Sequence, residues 1–242
     1  MMFAMAALIG LCFGSFANVV IYRLPQGKSV ALPPSCCQKC DTRLKLRDLL
    51  PVISWLALRG KCRYCNTKIS PRYPITELTC SIIFTLTAMR YGADIYLLPL
   101  WCMAFILLCI AWIDIDTMKI PNSLLIIAAI AGLCNLLLPP ITLEAFIYAI
   151  FGAISGAVPL LLIDGLVRLI AKKPGFGFGD VKLMAVAGMF LGVTGVFFAF
   201  IIAFISGGIV AGYLLWAKIM KRESYLPFAP FLCLGVLVSL LV

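Results

Sequence analysis

The apolar run from Val181 to Ala217 is the feature that most restricts how this chain can fold. As one α-helix it would reach about 55 Å, nearly twice the roughly 30 Å hydrocarbon core of a bilayer. A break is therefore expected near Gly192 to Gly195, giving two arms that fold back on each other. Other runs close to spanning length cover about 2 to 24, 75 to 91, 96 to 113, 121 to 138, 144 to 170 and 226 to 242. The chain is 63% hydrophobic and 12% charged, with a mean hydropathy of +1.09, whereas ordinary soluble domains are about 25% charged. These features predict an all-α polytopic membrane protein with about eight transmembrane helices. The first run lacks the basic start and small-x-small site of a cleaved signal peptide, so it is expected to stay as a helix.

One polar block interrupts the apolar pattern. Segment 25 to 73 holds Lys28, Lys39, Arg43, Lys45, Arg47, Arg59, Lys61, Arg63, Lys68 and Arg72 against only Asp41 and Asp48. Basic residues favour cytoplasmic loops, which puts this segment in the cytoplasm. Threading eight crossings from an outside N-terminus then places Lys119, Lys172, Lys173, Lys218, Lys221 and Arg222 on the same side, with Arg90 as the exception. A single crossing through 181 to 217 would export the Lys218 to Arg222 group, a second reason to expect the break. The net charge of +10 thus follows from topology in contact with membrane lipid, and no nucleic-acid partner is needed to explain it. The expected organisation is a first transmembrane helix over 1–24, a cytoplasmic loop over 25–73, and a membrane-embedded domain over 74–242.

Within the loop, Cys37-x-x-Cys40 and Cys62-x-x-Cys65 have the spacing by which two knuckles supply four thiolates to one tetrahedral zinc. Such knuckles need a residue tolerant of positive φ after the second cysteine. Asp41 and Asn66 stand there and suit it. Cys36 competes with Cys37 for the first position, though with a longer spacer. A reducing cytoplasm disfavours the alternative of two disulfides. A closed four-thiolate site leaves no position for water, so the metal is expected to be structural. Cys12, Cys80, Cys102, Cys109, Cys134 and Cys233 lie singly in apolar runs and are expected to pack as small hydrophobes.

An ionisable residue at or inside a membrane helix points to function. Asp114 ends the third span in WIDIDTMKIPN, and Asp180 begins the sixth in GFGFGD. The derived topology puts both ends on the cytoplasmic side, where the two acids can meet at one depth. Two carboxylates sharing a site do not both ionise easily, so one holds a proton while the other acts as base, which is the equipment for hydrolysing a peptide. Gly175, Gly177 and Gly179 either let an extended substrate backbone approach Asp180 or let the loop take strained dihedrals. A plainer reading makes Asp180 the N-cap of a helix starting at Val181. Asp116 is expected to be solvated, Glu144 to cap its helix, and Asp164 to pair with Arg168 one turn on. Glu77, just inside the second span, fits an ion-pair anchor or a functional acid.

Together these residues resemble the type IV prepilin peptidase family of membrane aspartyl proteases. GSFANVVIYRLP (Gly14 to Pro25) is similar to its N-terminal signature, and LPVISWLALRGKCRYCNTKISPRYPITEL (Leu50 to Leu78) to its cytoplasmic loop. WIDIDTMKIPN resembles the first aspartate motif, and GFGFGDVKLMAVAGMFLG the GxGD motif. The resemblance implies that Asp114 and Asp180 are the catalytic acids and that 74–242 is the peptidase domain. It further implies cleavage of type IV prepilins or type II secretion pseudopilins after the glycine ending a basic leader, at the cytoplasmic face of the bacterial inner membrane. Methylation of the new N-terminus with S-adenosylmethionine goes with members that keep the large loop. Gln38, Asp41 and Asn66 depart from the family's usual proline and glycines.

Two other function classes compete. A proton- or cation-coupled transporter would use Asp114, Asp164 and Asp180 as a path, but predicts acids near the bilayer midplane rather than at span ends. A membrane-anchored zinc-ribbon scaffold accounts for the loop and leaves both aspartate motifs without a purpose.

Overall fold

The computed structural model describes residues 1–92, 94–172, 175–219 and 226–242, so that Lys173, Lys221 and Arg222 of the basic groups lie outside the described residues. Among these residues, regular structure is helical apart from two isolated β-bridges. The chain divides into two compact units, Met1–Leu97 and Leu98–Val242.

In the first unit, α1 (Met2–Arg23) packs on α3 (Arg72–Tyr91), and the polar loop between them carries the short α2 (Ile53–Ala57). Where both helices face lipid, no hydrophobic force drives them together, and small residues must let the backbones touch. Gly10 and Gly14 do this. A Cβ on Gly10 would lie 2.6 Å from Ser81 Cα, and one on Gly14 would lie 2.5 Å from Glu77 Cα. Hydrogen bonds lock the register: Ser81 Oγ donates to the Ala7 carbonyl at 2.9 Å, and Asn18 Nδ2 donates to the Tyr73 carbonyl at 3.2 Å.

The second unit contains α4 (Leu97–Thr117), α5 (Asn122–Leu136), α6 (Leu143–Ala171), α7 (Phe178–Trp216) and α8 (Ala229–Leu241). The same small-residue device recurs. Cβ atoms on Gly152 and Gly156 of α6 would each lie 2.1 Å from a carbonyl oxygen of α7, those of Gly188 and Met184. One on Gly235 of α8 would lie 2.2 Å from the Ala199 carbonyl.

The break expected in the long apolar run falls at Gly192, whose φ of 63° and ψ of −173° are non-helical. The break leaves the Leu191 carbonyl without its helical partner, and the Tyr148 hydroxyl donates to it at 2.6 Å. Phe176 and Phe204 show that the chain reverses here. Their ring centroids are 6.4 Å apart, whereas one unbroken helix between them would separate them by about 40 Å. The helix begins earlier than expected, at Phe178, because Gly177 is its N-cap with extended dihedrals of −72° and 142°. Asp180 is therefore inside the first turn rather than the N-cap. The expected cap role of Glu144 is also corrected: Thr142 caps α6, accepting from Ala145 N at 3.2 Å, and Glu144 lies in the first turn.

Among the described residues four helices are long and apolar enough to cross a bilayer, over Met2–Gln26, Leu97–Thr117, Leu143–Ile170 and Phe178–Trp216, while α5 and α8 are shorter apolar helices. Cys80, Cys109 and Cys233 are buried as packing residues, whereas Cys12 and Cys134 lie on exposed faces.

Candidate active site and metal centre

α4 presents Asp114 in its last turn, and α7 presents Asp180 in its first. Both acids are buried, at 6% and 9% exposure, in a molecule whose other buried polar groups are mostly uncharged. Each carboxylate is held by a backbone amide at the start of a helix. Gly177 N donates to Asp180 Oδ2 at 3.1 Å, and Ala229 N, opening α8, donates to Asp114 Oδ2 at 3.2 Å. Helix N-termini carry partial positive charge and unpaired amides, so they are natural seats for carboxylates. The two acids are near enough to interact electrostatically. Asp116, two residues beyond Asp114, is exposed as expected.

The glycines of GFGFGD serve close approach rather than strain, since none of them has positive φ. A Cβ on Gly175 would meet Val167 at 3.0 Å, and one on Gly179 would meet Ile120 at 3.0 Å. On Gly177 the nearest atom would be Asp180 Oδ2 itself, at 3.2 Å. That leaves the backbone beside the acid bare.

Asp164 pairs with Arg168 as expected, Nε to Oδ2 at 2.7 Å. It does something the sequence did not disclose as well: its Oδ1 accepts from Gly175 N at 2.9 Å and Phe176 N at 3.2 Å. No local pattern signals a bond between a helix acid and a loop so far along the chain. The Ala229 amide was equally hidden, although Pro230 in the first turn of α8 marks a helix start. Glu77 also finds a partner outside its helix, with Oε2 accepting from Val52 N at 2.7 Å, where Val52 holds an unusual φ of 60°.

In the loop, the ligand atoms of Cys37, Cys40, Cys62 and Cys65 all lie within 4.8 Å of one another. Zinc–sulfur bonds of about 2.3 Å in a tetrahedron require sulfur–sulfur edges of about 3.8 Å, and the Cys37 and Cys65 sulfurs are 3.8 Å apart. The set therefore fits a zinc-sized ion, and Cys36 is outside it. The two knuckles are one structure repeated. Asp41 N donates to the Cys37 carbonyl at 2.9 Å and Asn66 N to the Cys62 carbonyl at 3.0 Å, with φ of 50° and 56° as the spacing predicted. Outside these turns Leu44 N donates to the Ser35 carbonyl at 2.9 Å, and Ile69 N to the Gly60 carbonyl at 2.7 Å. Hydrogen bonding to Thr67, through its hydroxyl first and its backbone second, brings the Cys65 thiol down to about 6, toward the thiolate that binds metal. Asp48 ties the segment before α2 to the second knuckle, accepting from Arg63 Nε at 2.7 Å and the Tyr64 hydroxyl at 2.9 Å. Partial burial works against its charge, but bonds from Arg63, Tyr64 and the Lys45 amide outweigh that and hold its carboxyl below the usual 3.8.

The model of the bacterial peptidase A24 N-terminal domain matches residues 8–91, and that of the type IV leader peptidase family matches residues 101–212. The chain is 33% identical to the prepilin leader peptidase/N-methyltransferase of Burkholderia pseudomallei strain K96243, over 97% of its own length and 84% of the relative's. The chain belongs to the type IV leader peptidase family. Proteins of the same name from Pseudomonas putida and Neisseria gonorrhoeae are 31% and 35% identical to this family member. Those alignments cover 98% and 78% of this chain, and 89% and 74% of the relatives. No solved structure matches it. In this leader peptidase family member α5, α6 and the glycine loop lie between the two aspartates in the sequence.

Proposed function

We propose that the protein is a membrane aspartyl endopeptidase that removes the leaders of type IV prepilins and type II secretion pseudopilins, and that it methylates the new N-terminus. The observation that carries this is the pair Asp114 and Asp180, buried, mutually interacting, and each seated on a helix-start amide. Family membership and the names of the relatives support the substrate class and the second activity; transport and scaffold readings are not favoured by them.

One carboxylate takes a proton from water as the water oxygen attacks the carbonyl carbon of the leader's last glycine. The other, protonated, gives its proton to the carbonyl oxygen. Collapse of the tetrahedral centre then breaks the carbon–nitrogen bond as the amine takes the proton that the first carboxylate had accepted, and a hydroxyl of the centre returns its proton to the second. The pair titrates as a unit, so neither role belongs to one residue. The backbone amides of Gly177 and Ala229 orient the two carboxylates without adding a competing charge. The bare backbone at Gly177 admits an extended peptide beside Asp180.

The first and third helices, the two arms of α7, and α4, α5, α6 and α8 make about eight membrane-embedded helices of the bacterial inner membrane, the first arm of α7 being short for a full crossing, with the dyad and the 25–73 loop on the cytoplasmic side. The basic residues of the loop support that orientation. Cys37, Cys40, Cys62 and Cys65 would hold a zinc ion that fixes the loop and supplies no catalysis. S-adenosylmethionine is the methyl-donating substrate, and the loop is the part associated with that activity.

The test is cleavage of a prepilin-like peptide, with a basic leader ending in glycine before an apolar helix, by wild type, Asp114→Asn and Asp180→Asn. Wild type should cut after that glycine and both variants should not. Adding S-adenosylmethionine should make the wild-type product one methyl group heavier. Equal cleavage by all three proteins would refute the dyad.

A further inference from the structure

The two acids approach from different helices, so something must fix the distance between their seats. Asp180 is held by Gly177 N, and Asp114 by Ala229 N. The residues just before these amides touch each other: Phe176 and Phe228 have ring centroids 5.1 Å apart in an edge-on contact. Phe204 packs against both rings, at 6.4 Å and 5.5 Å. Edge-to-face aromatic contacts in this range are directional as well as apolar. The segment that carries Phe176 is in turn tied to α6, because Asp164 Oδ1 accepts from both Gly175 N and Phe176 N. Two amide bonds to one carboxylate oxygen fix the segment's direction as well as its position.

We propose that Asp164 is a positioning residue for the dyad. It sets Asp180 through the backbone leading to Gly177, and it sets Asp114 through the Phe176–Phe228 contact next to Ala229. Arg168, which meets the other oxygen of Asp164 at 2.7 Å, is exposed, and among the described residues the ion pair is its side chain's contact. This inference rests on Asp114 and Asp180 being the reacting pair.

The test compares Asp164→Ala, Asp164→Asn, Arg168→Gln and Phe176→Leu in the full-length protein with the peptide assay above. Rates are normalised to folded protein, and amide exchange is followed at Gly177 and Ala229. An asparagine oxygen can still accept both amide bonds, whereas alanine accepts neither. Asp164→Ala should lower kcat by about 10-fold to 100-fold, the range expected for a small misplacement of reacting groups, with KM within about twofold. Asp164→Asn should recover most of that loss, and Arg168→Gln should match wild type. Exchange at Ala229 should quicken in Asp164→Ala, although Ala229 makes no bond to residue 164; a purely local role would leave it unchanged.

Wild-type kcat in folded Asp164→Ala, an equal loss in Arg168→Gln, or unchanged exchange at Ala229 would each overturn the proposal. Should Asp164→Ala not fold, Phe176→Leu decides, because it keeps both amide bonds and removes the ring contact; an unaltered kcat there overturns the coupling. Asp114→Asn and Asp180→Asn are run alongside. If they are inactive while Asp164→Ala behaves as wild type, only this inference fails, and if they cleave, the dyad falls and takes the inference with it.

Discussion

Gly192→Ala should be among the most damaging single-methyl additions in the second unit. Its φ of 63° and ψ of −173° lie in a region essentially reserved for glycine, and a residue with a Cβ pays roughly 1–3 kcal/mol to stay there. The added carbon would also sit 2.0 Å from Tyr148 Cζ and 2.4 Å from its hydroxyl oxygen, so the ring must leave. Its departure removes the bond to the Leu191 carbonyl and strands a buried acceptor, at about 1–3 kcal/mol. The sum is about 2–6 kcal/mol, against a total stability of roughly 5–15 kcal/mol for a folded domain. Reversible unfolding in mixed micelles, followed by circular dichroism, measures this in wild type, Gly192→Ala, Tyr148→Phe and Gly192→Ala in a Tyr148→Ala background. Tyr148→Phe should lose the hydrogen-bond share only. With the ring already gone, the glycine substitution should cost just the dihedral share, so the two changes are strongly non-additive. A Gly192→Ala protein within about 0.5 kcal/mol of wild type, the range of an ordinary surface change, would refute both the reversal and its seal.

Gly152→Ala on α6 should cost about 1–3 kcal/mol by forcing apart helices whose separation leaves a Cβ only 2.1 Å from the Gly188 carbonyl. Gly165→Ala, on the same helix with open space around it, should be neutral or up to about 1 kcal/mol stabilising; thermal unfolding of the pair distinguishes packing from propensity. Cys62→Ser should lose bound zinc by elemental analysis and impair methylation while leaving cleavage in place, and unchanged zinc content would count against the cluster. The Asp48 carboxyl is lower in the folded loop than its ordinary 3.8. Its stabilisation is therefore complete above 3.8 and is lost as pH falls through the lower folded value. The difference in amide protection of residues 45–64 between wild type and Asp48→Asn should close on acidification below that point, and a gap that widened would reverse the sign.

Patterns within one element carried over well from sequence to structure. The thiol spacing chose Cys37 over Cys36, and the tolerance of Asp41 and Asn66 for positive φ is where the knuckles use it. The limit on helix length in a bilayer located the reversal at Gly192. Contacts between elements were less legible. Asp164 was visible as an i, i+4 partner of Arg168, but its bonds to Gly175 and Phe176 depend on where a loop returns in space. Asp180 looked like an N-cap because capping acids commonly precede apolar runs, yet Gly177 takes that place and Asp180 bonds back to it. The strained-loop explanation of the glycines failed for a related reason. Their value lies in neighbours, Ile120 and Val167, that no short-range pattern reveals.

The reversal at Gly192 also bears on the lipid around the protein. From Phe178 to Leu191 the first arm of α7 rises about 20 Å, some 10 Å less than the hydrocarbon core it would enter. If Asp180 lies at one edge of the core, as the proposed topology has it, the tip of this hairpin lies within the hydrocarbon, short of the far edge. No water is available there to satisfy a bare carbonyl, which is the place of the Tyr148 hydroxyl on Leu191. On that topology a short arm is met by thinning of the adjacent bilayer, at fractions of a kcal/mol per Å of mismatch, so acyl-chain length would bear on the same helix that carries Asp180.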